Sequence, residues 1–347
     1  MEEKLTYNHN PYTSARIGAM KADLLRKSDY DKLMKMDVNE IIKYLQDGVY
    51  KEEINDLRVR YEGIELIEYA LKNHLTKVFL KIKSISDSGI EAYVGQYLKR
   101  FDYWNVKIIL RKIISGEEDV KKMFIPVGNL DEDKLDDLNS LSSVEEVLKE
   151  SKLLKKEKIE DLISGFRQTG SLMEIENVLD YNYYKKTYEF VERIPLDGRL
   201  LIEFFKSEFD IYNLKLILKK VFFEIDAADV EPYVLFRGGY LRRTKLNKLL
   251  DKNRVRDFIS ELSNTDYDVL KHSQYKDKDV VQKFEIKMDR ILFEKAIKLF
   301  HQNPLSVDIV LGYMFAKEIE TQNIRTIVKS NAFEFTEDYV KDRIIIR

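Results

Sequence analysis

The residues of this chain best placed to do chemistry are polar positions that recur inside apolar stretches. Asn105, Asn213 and Asn323 are spaced by 108 and 110 residues, and a base follows each two positions later: Lys107, Lys215 and Arg325. Acids precede them in pairs, Glu176 with Asp180 and Glu285 with Asp289, and Glu65 with Tyr69 forms a partial third copy. Asparagine is a poor helix former, so its return within apolar helical stretches implies a hydrogen-bonding partner. Two uses are open to such groups. A carboxylate beside an amide or a lysine can act as a catalytic dyad, or the same pair can be a structural polar link that fixes helix register, and the second is favoured. Pro195 lies 15 residues after Asp180 and 18 before Asn213, so two antiparallel helices would bring them roughly level, and Glu176 level with Lys215. A deep pocket gathering two or more of Asp180, Asp289, Lys215 and Arg325 would instead point to catalysis.

Other chemistries lack their residues. His9, His74, His272 and His301 are scattered, with no metal-binding spacing. The acidic run from Asp131 to Asp137 lacks the glycine and terminal glutamate of a calcium loop and reads as a solvated helix face. Neither a phosphate loop nor a dinucleotide fingerprint occurs, and Gly238-Gly239 reads as a turn. With no cysteine there is no disulfide, thiolate ligand or thiol nucleophile, which fits a reducing cytoplasm. No metal and no cofactor is expected. Lys and Arg number 59 against 61 Asp and Glu, a balance that gives no electrostatic footprint for nucleic acid. Tyr181, Tyr183, Tyr184 and Tyr188 resemble a base-stacking platform in part, but that balance favours core or interface packing. The start, Met1 to Leu5, has no apolar signal-peptide core, and no apolar run reaches the roughly 20 residues of a membrane span.

The elements that carry these positions are helices. Only five prolines and 13 glycines interrupt the chain, and long stretches rich in Lys, Glu, Leu and Ile lie between them. Val106, Ile109, Leu110 and Ile113 form an apolar stripe at helical spacing, matched by Leu214, Ile217, Leu218 and Val221. These are designated B helices. A weaker copy opens the chain, where Ala15, Gly18, Ala19 and Ala22 replace the large residues, and this small-residue face is expected to be a close-packing seam. The paired acids mark A helices, joined to the next B helix near Pro195, Pro304 and the Ser84–Gly89 cluster, so A and B are expected to form hairpins. After two of the B helices come Gly128-Asn129-Leu130 and Gly239-Tyr240-Leu241, then short amphipathic helices at Val144 and Val255, with a further copy at Val38. The fold class is therefore all-α, three similar helical modules (1–104, 105–212 and 213–347) packed around a pseudo-three-fold axis.

The ordered set of motifs resembles a known family. Tyr12-x-x-Ala15-Arg16-Ile17-x-Ala19-Met20-Lys21-x-x-Leu24-Leu25, together with the recurrent Asn-x-Lys/Arg helices, is similar to the C subunit of archaeal-type (A/V-type) rotary ATP synthases, the wider family of the vacuolar ATPase d subunit. The likeness runs from about Tyr12 to Ile327, and Gly18 departs from it where the family often has a basic residue. That resemblance implies a non-catalytic, funnel-like central-stalk component, monomeric within its complex, on the cytoplasmic face of the membrane. Its implied partners are the central-shaft subunits D and F and the proteolipid ring. The alternative is a helical-repeat scaffold that binds other partners outside rotary ATPases.

Overall fold

The computed structural model describes residue 5 and residues 11–269, 279–303 and 305–346; His9, His272 and Pro304 lie outside the described residues. Among those residues there is no strand, and the chain is all-α. It opens with four short helices, α1 (Pro11–Lys21), α2 (Lys27–Leu33), α3 (Val38–Gln46) and α4 (Lys51–Leu57), followed by two long ones, α5 (Gly63–Ile85) and α6 (Ser88–Ser115). Three short helices follow, α7 (Glu132–Ser140), α8 (Val144–Ser151) and α9 (Lys156–Thr169), then the long α10 (Met173–Val191) and α11 (Arg199–Phe222). The last third repeats the pattern with α12 (Ala227–Val230), α13 (Arg243–Leu250), α14 (Val255–Glu261), the long α15 (Val280–Gln302) and α16 (Val307–Ala332), and a closing α17 (Glu337–Lys341). Helices α5, α10 and α15 are the A helices, and α6, α11 and α16 are the B helices.

Side chains written into the sequence start these helices. Asp87 accepts from the backbone N–H groups of Gly89 and Ile90 at the head of α6, and Ser306 accepts from Asp308 at the head of α16. The B helices stop in one way. Eleven residues after each repeated asparagine the chain turns into the left-handed region, at Gly116 (φ 72°), Glu224 (φ 54°) and Glu334 (φ 56°). At the second and third stops the next N–H closes a six-residue loop, Ile225 onto the Lys220 carbonyl and Phe335 onto the Ser330 carbonyl. Two glutamates thus hold a conformation that favours glycine.

The apolar stripes of the B helices lie in the core. Val106, Ile109 and Leu110 pack with α7 to α10 through Leu135, Leu138, Val147, Leu148, Leu162 and Leu179. Leu214, Ile217 and Leu218 pack with Leu246, Leu249, Phe258, Phe284 and Met288 from α13, α14 and α15. The third cluster joins the two ends of the chain, Ile324, Ile327 and Val328 of α16 with Leu33, Ile41, Leu45, Ile54, Leu66 and Leu71 from α2 to α5. Each B helix therefore shares its core with the short helices and the A helix that come next, and for α16 those elements are supplied by the N-terminal part of the chain. The units touch in a closed cycle, α10 on α11, α15 on α16 and α5 on α6.

The structure corrects two expectations. Only α15 and α16 pack broadly as a hairpin; α5 with α6 and α10 with α11 meet far less, because the main B-helix partner of α5 is α16 and that of α10 is α6, while α15 packs on both α16 and α11. The expected seam is also on the wrong face. Ala15, Gly18 and Ala19 are exposed, as is Ala22 just beyond the helix, whereas Thr13, Ser14, Ile17 and Met20 are buried, and α1 lies against α16. The larger side chains win the buried face because Ile17 and Met20 fill the space in the core, while a Cβ on Gly18 would meet nothing within 4 Å.

Replacing Glu224 or Glu334 by glycine is expected to raise stability by up to about 1 kcal/mol each, since both side chains are exposed and only the backbone strain is relieved. Urea unfolding midpoints check this; a fall in midpoint for both variants would contradict it.

Candidate functional site

The repeated asparagines grip backbone. Asn105 accepts from the N–H of Ile125 at 2.9 Å and donates to its carbonyl at 2.9 Å. Asn213 does the same to Leu235 at 2.8 and 2.9 Å, and Asn323 to Ile345 at 2.8 and 2.6 Å. One amide side chain has the donor and acceptor needed to satisfy both polar groups of one residue in an extended segment.

An acid three positions earlier on each B helix holds backbone at a second point. Asp102 accepts from the N–H groups of Asn129 and Leu130, and Asp210 from those of Tyr240 and Leu241 and from the Tyr267 hydroxyl. Glu320 accepts from the N–H of Leu25 at 2.6 Å, from the Tyr50 hydroxyl and from Lys317. A Cβ at Gly128 or Gly239 would lie 2.2 or 1.9 Å from a carboxylate oxygen of Asp102 or Asp210, so this close approach requires glycine. Asp23 stands two residues before Leu25, where the other copies have glycine, and there the longer glutamate does the reaching. Further along, Lys112 caps the Asn139 carbonyl and Lys220 those of Leu250 and Lys252, while Asn331 caps Leu33 and Met36.

The acid pairs of the A helices meet bases of the B helices. Lys107 bonds Asp180 at 2.6 Å, and Arg111 bonds Glu176 through two nitrogens at 2.6 and 2.8 Å. Lys215 bonds Asp289 at 2.6 Å, and Lys219 lies 3.0 Å from Glu285. In the third unit Lys329 pairs with Glu68 at 2.8 Å, and burial pushes the Arg325 guanidinium down while Glu68 opposes that shift. The expected pairs, Asp180 with Asn213 and Glu176 with Lys215, are therefore not formed. Each acid instead faces the B helix in its own core cluster, and each asparagine is occupied by backbone. Glu65 is exposed, and Tyr69 bonds Asp119. Sequence reasoning missed Arg111, Lys219 and Glu68, although a base recurs six residues after every repeated asparagine.

Five positions before each asparagine stand Arg100, Glu208 and Glu318, and these equivalent residues meet. Arg100 lies 2.8 Å from Glu208 and 3.9 Å from Glu318, whose carboxylate also accepts from the Tyr97 hydroxyl at 2.9 Å. The three B helices thus converge on one centre. Beside it lies a cavity of about 430 Å³ walled by α6, α10, α11, α15 and α16. It does gather Asp180, Lys215 and Asp289, the combination that would point to catalysis. Both acids are bonded to lysines, and among the described residues no histidine, serine, threonine or cysteine lines the cavity to supply a nucleophile or proton relay. Among the described residues, too, no acid or histidine cluster is arranged to hold a metal, and no helix is long and apolar enough to cross a membrane.

The helices form a closed cycle converging on a charged cavity, and its polar residues hold backbone and neighbouring helices. Comparisons with known proteins give the family of the chain. The family described as ATP synthase (C/AC39) subunit matches residues 13–343. The A-type ATP synthase C subunit of Haloquadratum walsbyi is 30% identical, over 97% of this chain and 98% of that protein. The proteins of the same description from Methanosarcina barkeri and Haloferax volcanii are each 28% identical, over 97% and 98% of this chain and 92% and 99% of their own lengths. The chain belongs to the ATP synthase (C/AC39) subunit family.

Asn213 is 1% exposed, so Asn213→Ala strands the polar groups of Leu235 and is expected to cost about 2–4 kcal/mol in urea unfolding, against near-neutral effects at exposed asparagines. Burial raises the Asp210 carboxyl to about 6, against the hydrogen bonds from Leu241, Tyr267 and Tyr240 that lower it. Its folded-state value thus exceeds the ordinary value of about 3.9, so the proton favours the folded state: this contribution is complete below pH about 4 and is lost as pH rises through about 6. The stability of the native chain relative to Asp210→Asn should fall by roughly 1–3 kcal/mol between those limits; a rise would contradict the assignment.

Proposed function

We propose that this protein is a non-catalytic central-stalk subunit of an A/V-type rotary ATP synthase. It joins the rotating shaft of subunits D and F to the proteolipid ring of the membrane sector, and so couples ATP synthesis or hydrolysis to proton or sodium transport. It acts as a single copy within the complex, peripheral on the cytoplasmic face of the membrane, with no cofactor and no nucleic acid. The observation that carries this reading is the convergence of the three B helices on one cavity: a body of that form offers an axial seat to a shaft.

The energetics support the role. A part that transmits torque must resist shear between its helices, and here every B helix is tied both to extended backbone and to an A helix. Partner surfaces are available beyond the cavity. Ile114, Phe223, Phe333 and Phe335 are large, exposed apolar residues at or just beyond the C-terminal ends of the B helices. They supply a second contact face, away from the central trio.

Trp104 is the one tryptophan of the chain, lines the cavity and is 45% exposed, which makes it a reporter of occupancy. Adding the D–F shaft pair, with any tryptophan of its own replaced, should reduce acrylamide quenching of Trp104 by at least about twofold as the site is closed to water. A folded sample that does not bind the pair would favour a scaffold working outside rotary ATPases.

A further inference from the structure

The charges that line the central cavity do not balance. Four cations, Arg100, Lys107, Lys215 and Lys219, face five carboxylates, Asp180, Glu208, Glu285, Asp289 and Glu318. Each cation has a carboxylate partner within 3.0 Å: Lys107 has Asp180, Lys215 has Asp289, Lys219 has Glu285 and Arg100 has Glu208. Glu318 is the acid left over. Among the described residues it holds one hydrogen bond, from Tyr97, and stands 3.9 Å from a guanidinium already engaged elsewhere. Its side chain is 32% exposed, so it opens onto the cavity. A second observation points the same way. Glu208 is only 4% exposed, lines the cavity, and among the described residues its Oε2 has no hydrogen-bond partner although its Oε1 is bound to Arg100. A buried carboxylate oxygen left unmatched is costly, and a positive charge brought close by a partner offsets part of that cost.

We propose that the cavity is a seat for one cationic side chain, a lysine or arginine at the tip of the inserted shaft, held against Glu318 and beside Glu208. This rests on the stalk reading above and specifies how the shaft is recognised. A side chain fits better than a free ion: no three acids or histidines converge there to hold a metal among the described residues. An anionic group would face the excess carboxylate. The exposed Trp104, which also lines the cavity, offers a cation a second favourable contact. Burial raises the Glu318 carboxyl above its ordinary value, against Arg100 and Tyr97, and an arriving cation would hold it ionised.

The test compares the full chain with Glu318→Gln in binding to the D–F pair, with Trp104 quenching read in parallel. The amide keeps the shape and can still accept from Tyr97, and it removes one of two acids sharing a single arginine, so melting temperature should hold or rise. The expected result is binding at least about tenfold weaker, because the incoming cation is left buried without its partner. A complementary series leaves this chain untouched and replaces each lysine and arginine of the shaft tip singly by glutamine. One position should reproduce the loss, and changing that position to glutamate should restore binding to Glu318→Lys. Unchanged affinity in Glu318→Gln, or no sensitive cation in the series, overturns the proposal while shaft binding with Trp104 shielded keeps the stalk reading. Failure of the native chain to bind or to shield Trp104 overturns both.

Discussion

The arrangement depends on one interaction, the grip of a B-helix side chain on the backbone of an extended segment. In an all-helical protein such a segment has no sheet to satisfy its N–H and C=O groups, and leaving them buried and unpaired would be prohibitive. The asparagine and the acid three residues before it answer that need at fixed points, so they also fix where the following short helices dock. Two of the three segments run on continuously from their B helix. The third is made of the two ends of the chain: Asn323 holds Ile345 near the C-terminus, and Glu320 holds Leu25 near the N-terminus. The same grip therefore closes the cycle without a covalent link.

This closure explains where charge is buried. Lys317 and Glu320 are 1% and 2% exposed at side-chain level, and Tyr50 joins them at the joint between the chain ends. A buried ion pair adds little net stability, because desolvation offsets much of the attraction, but breaking it is severe. The pair lies within α16, and it is Glu320, accepting from the Leu25 N–H and the Tyr50 hydroxyl, that sets the register of the N-terminal segment on that helix. The rungs between A and B helices are a different case. Several are half exposed, as at Arg111 and Lys219, and each contributes at most about 1 kcal/mol. Their value lies in number and direction, since repeated rungs along packed helices oppose sliding.

The sequence carried the helices and the all-α class plainly, since apolar spacing and the scarcity of proline are local signals. It also marked Asn105, Asn213 and Asn323 as residues needing partners. What it did not carry was the identity of those partners. Asp180 and Asn213 stand level across Pro195 in the sequence, but helices adjacent in sequence need not be the ones that share a core, and here α10 and α5 share cores with α6 and α16 instead of with the B helix that follows each. The buried face of α1 was misread for a related reason: a small-residue stripe and a stripe of Thr13, Ile17 and Met20 have the same helical period, and only the space offered by α16 decides between them. Arg100, Glu208 and Glu318 escaped notice because their types differ, although their positions are equivalent.

That difference in type is itself physically required. Three identical charged residues at equivalent positions would place like charges together at the centre, where burial strengthens their repulsion. One arginine among two glutamates removes most of that repulsion, and it also makes the three positions chemically unlike. Repetition builds the scaffold, with equivalent asparagines, acids and bases at the joints. The centre departs from repetition, so the three B helices cease to be interchangeable at the point where they meet. A binding partner would then find one preferred orientation at that centre. The asymmetric excess of a single carboxylate at Glu318 gives that orientation a chemical mark.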